Sequence, residues 1–398
     1  MKKLFAMLML VLAGALGAEG IPSLGFSAGI IPTKAVNIAD QFAGILPGRP
    51  PFISKVSKAV CGEPFTVHVV FSGAESKNGA VSLAGKISLI APDGKKTELP
   101  LREFTAKLSG DTRGVFLLPD ALRVSFDPPD PKGNYTFALE LTDRNTGKTA
   151  TESASVEYVE NIPAAPESEA MKKLTGYYRA PCPENIVPAF RAYLKMIPAQ
   201  KQKEKQNFNP LSQLAFFYFA LKDNPQCVPA FAALFKKLHK EEKFLAAIVL
   251  NFVSEETAKA LNANQRKVIA QQFPSNPFEI EKAQAPWHLD VCWAEFLIRG
   301  TKAPVMKVVN ALSLARDGIT IPDFKKIQKP TDEDKRKLVN QLTAMAAHWS
   351  IKSLAKPHPL VRYYIEAALM RKEVKDPVDG ALAADAIRMK VQVTPGKK

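Results

Sequence analysis

Three groups of side chains carry types that could do chemistry. The first is Trp287-His288-Leu289-Asp290-Val291-Cys292-Trp293-Ala294-Glu295, where a helix would set His288 and Cys292 four residues apart on one face. An imidazole there could take the thiol proton and turn Cys292 into a nucleophile. Such pairs work with a third group that orients the base, and this pair lacks one, so two tryptophans and a cysteine at helical spacing read first as core. The second group is the cysteines Cys61, Cys182, Cys227 and Cys292. Zinc needs clustered thiolates or imidazoles, and no CxxC pair exists. Three full disulfide connectivities stay open, beside the alternative of buried unpaired thiols.

The third group is lysine. Lys201-Gln202-Lys203-Glu204-Lys205, Lys236-Lys237 with Lys240 and Lys243, and Lys335-Arg336-Lys337 are the densest basic runs. Each could hold an anion or merely solvate a helix face. Lys201, Lys203, Lys205, Lys236 and Lys237 are the candidate anion-binding residues. The five histidines, His68, His239, His288, His348 and His358, form no two-histidine metal spacing and flank no Gly-x-Ser-x-Gly elbow. No catalytic, cofactor-binding or metal-ligating residue is assigned, and no cofactor is expected.

The formal net charge is +15, and it is unevenly spread. Residues 1–160 carry 17 Lys and Arg against 16 Asp and Glu, while residues 161–398 carry 37 against 23. A field of that sign on one half of the chain attracts polyanions and raises their association rates in a salt-dependent way.

The elements that would position these residues change character along the chain. Phe65, Val67, Val69 and Phe71 alternate with Thr66, His68 and Val70 and share one face of a strand, with Thr66 and His68 on the other. Further strands are predicted at Lys86 to Ile90, Val115 to Leu118, Leu122 to Phe126, Tyr135 to Leu141 and Val156 to Val159, separated by Pro-, Asp- and Gly-rich turns. Several short strands in about a hundred residues suit an immunoglobulin-like β-sandwich over residues 51–160. A proline-rich linker at 161–167 follows, and beyond it the apolar period becomes helical.

The spacing predicts helices at Val187 to Met196, Leu211 to Leu221, Val228 to His239, Phe244 to Phe252, Glu255 to Leu261, Gln265 to Phe273, His288 to Gly300, Val305 to Ala315, Asp332 to Leu354 and Leu360 to Arg371. Leu338, Leu342, Met345 and Trp349 form an apolar stripe expected to be core. The segments starting Val187-Pro188-Ala189-Phe190 and Val228-Pro229-Ala230-Phe231 match at an offset of 41 residues. That offset suits stacked helical hairpins of a solenoid, with chance reuse of a proline helix start as the alternative. The fold class expected is therefore an all-β sandwich followed by an all-α, helical-hairpin or solenoid-like domain over 168–375, with a loosely ordered lead-in at 19–50 and a tail at 376–398.

Lys2 and Lys3, an apolar run from Leu4 to about Leu12, and the small residues Ala13, Gly14, Ala15, Gly17 and Ala18 read as a signal peptide over residues 1–18. The run is shorter than the roughly 20 residues of a membrane span. The mature chain is therefore expected to be exported, periplasmic or extracellular, with no transmembrane helix.

The stretches Leu289-Asp290-Val291-Cys292-Trp293-Ala294-Glu295-Phe296-Leu297-Ile298-Arg299-Gly300 and Ala347-His348-Trp349-Ser350-Ile351-Lys352, with His358-Pro359, resemble a family of exported bacterial helical-repeat-like proteins. The resemblance covers about the last third of the chain. It implies a helical-repeat fold and brings no activity, ligand or catalytic residue with it. The front domain is similar to the immunoglobulin-like modules of envelope proteins, which implies a spacer or docking role.

The expected function is a non-enzymatic envelope binding or scaffold protein. Its basic helical domain would engage an envelope protein or an anionic polymer or lipid surface, with no specific nucleic acid as partner. The alternatives are an envelope hydrolase or other enzyme with an interdomain site, and a self-associating structural component.

Overall fold

The computed structural model describes residues 25–43, 53–107, 114–204 and 209–387, with the side chains of 198–204 and 377 outside that description. The expected signal peptide and Lys205 lie outside the described residues. The chain divides into two compact units between Pro163 and Ala164, inside the proline-rich linker. A sheet-rich unit comes first and a helical unit second.

The first unit holds two sheets. In one, β1 (Ser27–Thr33), β3 (Phe65–Ser72) and β7 (Phe116–Val124) run antiparallel in that spatial order. In the other the order is β2 (Lys58–Ala59), β9 (Lys148–Tyr158), β8 (Gly133–Asp143), β4 (Ala80–Ile90) and β5 (Lys96–Pro100). The outer edge of β4 takes β6 (Phe104–Lys107) along residues 80–83 and β5 along residues 86–90. Phe65, Val67, Val69 and Phe71 of β3 are buried, as their alternation requires, and share one apolar core with Val81, Leu83 and Ile87 of β4, Tyr135, Phe137, Leu139 and Leu141 of β8, and Val156 of β9.

Several details follow from local chemistry. The stretches predicted as two strands around Pro119 form the single strand β7. A proline lacks the N–H a central strand needs, and it is accommodated because β7 is an edge strand whose pairing with β3 shifts register between His68 and Val70. Gly85 sits where β4 and β8 approach so closely that a Cβ would lie 2.3 Å from the Glu140 carbonyl oxygen. The β8–β9 turn closes with the Gly147 N–H donating to the Asp143 carbonyl at 2.7 Å, and Gly147 has φ 73°.

The lead-in expected to be loosely ordered is corrected for its described part. Ser27–Thr33 pairs with β3 from Ser27↔Ser72 to Thr33↔Thr66, and the short helix Ile38–Ala43 follows. Isolated apolar residues without a period hid this strand, because most of them, including Ala28, Ile30 and Ile31, are buried.

In the helical unit, proline stands in the first turn of the helices Val228–Lys237, Pro286–Arg299, Pro359–Met370 and Pro377–Ala386, where its missing N–H costs nothing. Gly300 ends the helix Pro286–Arg299 in the left-handed conformation, and Thr331 with Asp334 caps the helix Asp332–Leu354. The matching segments both begin helices, Ile186–Glu204 and Val228–Lys237, each entered through a 3₁₀ turn. Their equivalent phenylalanines touch: the Phe190 and Phe231 rings are 4.7 Å apart, and Phe190 also meets Phe217 at 4.9 Å.

Two further expectations change. The predicted tail contains the helix Pro377–Ala386, with Ala383, Ala384, Ala386 and Ile387 buried. The stripe Leu338, Leu342, Met345 and Trp349 is not the core face of its helix. Asn340, Thr343, Ala344, Ala347 and Ile351 are buried instead, while Met345 is 53% and Trp349 70% exposed. Leu338 and Leu342 are half-buried, and the far end of the stripe, Met345 and Trp349, faces solvent. Among the described residues no helix is long and apolar enough to cross a membrane.

Candidate functional site

The thiol reading fails on geometry. Cys292 is 1% exposed, and burial pushes its thiol up to about 12, so it stays protonated. His288 faces elsewhere: its Nδ1 accepts the Gln284 N–H at 3.0 Å and its ring lies 4.1 Å from that of Trp287. Among the described residues no three His, Cys, Asp or Glu side chains cluster as metal ligands would. A shallow, open groove on the second sheet, lined by Lys86, Ser88, Lys96, Glu140, Thr151 and Ser153 among others, brings no histidine, cysteine or aromatic ring together.

The polar constellations that sequence reading missed belong to the helical unit. Arg299 donates to both Asp223 oxygens at 2.8 and 2.7 Å and to Glu295 at 2.9 Å, and its guanidinium lies over the Phe219 ring at 5.0 Å. Burial opposes its charge, yet the two carboxylates hold it above its ordinary pKa. Tyr218, Lys222, Asn276 and Glu279 form a second network, in which Tyr218 donates to Glu279 at 2.9 Å and Lys222 donates to both.

The third constellation joins residues 180 apart. Arg179 Nε donates to the Tyr178 hydroxyl at 3.0 Å, leaving that hydroxyl to donate to His358 Nδ1 at 3.2 Å. Arg179 also reaches the Pro357 carbonyl. Burial, with the Arg179 charge beside it, lowers the His358 pKa to about 4, so the imidazole is neutral with its proton on Nε2. In all three networks the donors and acceptors answer one another, which is the arrangement of structural ties. Glu295 with Arg299 and Tyr218 with Lys222 stand four residues apart on one helix, but no spacing rule announces the partners Asp223, Glu279 and His358, which come from distant elements.

The candidate lysines are sorted by what surrounds them. In the run Lys335-Arg336-Lys337, Lys335 pairs with Asp332 at 2.9 Å and Arg336 with Glu333 at 2.6 Å, while Lys337 lies 3.7 Å from Glu333. That run is neutralised within its own helix. Lys195, the counterpart of Lys236 in the matching segment, pairs with Glu167 at 2.7 Å.

Lys236 and Lys237 end the helix Val228–Lys237, whose other face buries Phe231, Leu234 and Phe235. Lys240 opens the next helix, Lys240–Val253. All three are exposed, and among the described residues none of them has an acidic partner. Lys243 closes the corner, donating to the Lys236 carbonyl at 3.5 Å with its ammonium over the Phe235 ring at 5.4 Å. Basic residues in a last turn also complement the helix dipole, which accounts for Lys236 and Lys237 but not for Lys240, at the start of a helix. Lys201 and Lys203 fall in the C-terminal part of the helix Ile186–Glu204, and their side chains lie outside the described residues.

No family model matches the chain, and no curated protein matches it. Among solved structures, a family 123 glycoside hydrolase from Clostridium perfringens is similar at 12% identity with a TM-score of 0.22, over 46% of this chain and 36% of that one. The chain thus spans about a third of that enzyme's length. So low a score carries no argument about fold or activity.

Proposed function

We propose that this chain is an exported envelope protein whose helical unit binds a polyanionic partner through the corner formed by Lys236, Lys237 and Lys240, with Lys243 holding the turn. One observation carries the reading. Among the described residues Lys236, Lys237 and Lys240 have no salt-bridge partner, whereas the Lys335–Lys337 run and Lys195 do. Unanswered charge on a unit with a large basic excess favours an anionic polymer or surface over a small neutral ligand.

In this reading the sheet-rich unit is an immunoglobulin-like module that spaces or docks the chain. It is supported by the two sheets around one core and by Tyr135, near the start of β8, whose hydroxyl donates to the Pro131 carbonyl four residues upstream at 2.9 Å. Such a tyrosine corner recurs in immunoglobulin-like folds. The helical unit is taken as a member of the exported helical-repeat-like proteins that it resembles, the support being the matched helix starts with Phe190 against Phe231.

The test is retention of the full chain on heparin and on anionic vesicles over a salt series. Lys236→Glu, Lys237→Glu and Lys240→Glu combined should lower the slope of log affinity against log salt by roughly three charges, the number removed, as counterion release requires. The matched triple reversal at Lys335, Arg336 and Lys337 should change retention less. Equal losses from both triples would show that only net charge matters, and retention indifferent to salt would sink the proposal.

A further inference from the structure

Two cysteines stand just ahead of the starts of the two matching helices. Cys182 immediately precedes the 3₁₀ turn Pro183–Asn185, which runs into the helix Ile186–Glu204. Cys227 ends the 3₁₀ turn Pro225–Cys227 and immediately precedes the helix Val228–Lys237. Contact between Phe190 and Phe231 near the two helix starts holds those starts together. The Cys227 thiol donates to the Pro183 carbonyl oxygen at 3.4 Å, so its sulfur lies against the residue that follows Cys182. Both side chains are half-buried.

A disulfide needs Cα atoms within about 7 Å, and a sulfur already touching the neighbouring carbonyl is placed for that reach. The other two cysteines are placed differently. Cys61 is exposed and belongs to the sheet-rich unit, and Cys292 is sealed in the helical core with its thiol held protonated. Exchange starts from a thiolate, so Cys292 cannot begin it.

We propose that Cys182 and Cys227 form a disulfide that ties the starts of the two matching helices together once the protein meets a disulfide oxidant, either an exchange protein or oxidised glutathione. One cysteine thiolate attacks a sulfur of the oxidant, forming a mixed disulfide and expelling an oxidant thiolate. The second cysteine thiolate attacks the protein-side sulfur and expels the other. Two electrons pass from the cysteine pair to the oxidant's disulfide, which leaves as two thiols carrying the two cysteine protons. The new bond closes the chain between residues 182 and 227 and removes conformational freedom from the unfolded state. The proposal stands apart from the anion-binding reading, since neither cysteine belongs to the lysine corner.

The full chain, equilibrated natively with oxidised glutathione, is unfolded, alkylated and digested without reductant. A linked peptide pair containing Cys182 and Cys227 is expected, with alkylation at Cys61 and Cys292. Thermal unfolding of the helical unit should shift down by roughly 5–10 °C on reduction, the scale for closing a loop of this kind in a domain of this size. Cys182→Ser and Cys227→Ser should each abolish that shift, and Cys61→Ser should keep it. Four alkylated cysteines, a linkage through Cys61 or Cys292, or a reductant-sensitive shift that survives in Cys182→Ser would overturn the assignment. Peptide mapping of the unmutated chain decides the matter even where a variant fails to fold.

Discussion

The two units anchor their polar groups in opposite ways. In the sheet-rich unit, side chains answer the backbone. Buried Asp143 accepts the Glu75 and Asn145 N–H groups at 2.9 and 3.0 Å and the Thr146 hydroxyl at 2.9 Å, and Asn145 donates to the Glu75 and Ala80 carbonyls at 2.8 and 3.0 Å. Glu63, paired with Lys34 at 2.6 Å, also takes the Val60 N–H at 3.2 Å. In the helical unit, side chains answer side chains on other elements: Arg299 with Asp223, Tyr218 with Glu279, Tyr178 with His358, and Arg316 with Asp379 at 2.7 Å.

Backbone demand explains the contrast. Strand ends and turns leave N–H and C=O groups that a nearby carboxylate or amide must satisfy, while a helix satisfies its own backbone except at its ends. Polar side chains between helices can then pair with one another, and where Tyr364 reaches the backbone, donating to the Gly300 carbonyl at 2.7 Å, it is at a helix end. One unit is pinned at its turns, and the other is stitched between its helices.

The largest effect is expected from cutting a tie between helices. Arg299→Ala leaves Asp223 half-buried without its cation and Glu295 with only Lys307 at 3.4 Å, strips the cover from Phe219, and should cost about 3–4 kcal/mol. Urea unfolding followed by helical circular dichroism measures it. A loss below that of a typical surface substitution would mean the network contributes packing only.

The next effect is on pH. His358 has a pKa of about 4 when folded and an ordinary value near 6.5 when unfolded, so the unfolded chain binds the extra proton as pH falls. No effect is expected above pH ~7, and the helical unit should lose up to about 3 kcal/mol as pH drops from about 6.5 to about 4. The difference between the unmutated chain and His358→Gln isolates this part from the carboxylates. Identical pH profiles would refute it.

The smallest effect belongs to the sheet-rich unit, where Asp143→Ala leaves the Glu75 and Asn145 N–H groups without their acceptor. It should cost about 1–3 kcal/mol, read as a lower unfolding midpoint of that unit with the helical signal unmoved. A shift of the helical signal by the same amount would show that the two units do not unfold separately.

Where the reading of the sequence was right, the governing interaction spans a few residues. Alternation in Phe65 to Phe71 was enough to identify β3 and its inward face, because side-chain direction in a strand repeats every two residues. The prolines before Val305 and Leu360, and the match around Pro188 and Pro229, marked helix starts for the same local reason. Where it was wrong, the deciding partner was remote. Nothing near Ser27–Thr33 reveals the strand it pairs with, and nothing in Leu338, Leu342, Met345 and Trp349 tells which side of that helix its neighbours cover.

Charge follows the same division. Composition alone places the basic excess beyond residue 160, since counting needs no geometry. Which lysines remain unanswered depends on where carboxylates come to rest. Lys335 and Arg336 meet theirs within one helical turn, whereas Lys195 meets Glu167 from another helix, a contact that local spacing cannot supply. Among the described residues Lys236, Lys237 and Lys240 form no ion pair, although Glu241 and Glu242 share the first turn of the helix that Lys240 opens, while the fold brings the Cys227 sulfur to Pro183 across 44 residues. Side-chain direction and helix starts are set by bonds and sterics between near neighbours, and a partner dozens of residues away is chosen by how whole helices and strands exclude water together.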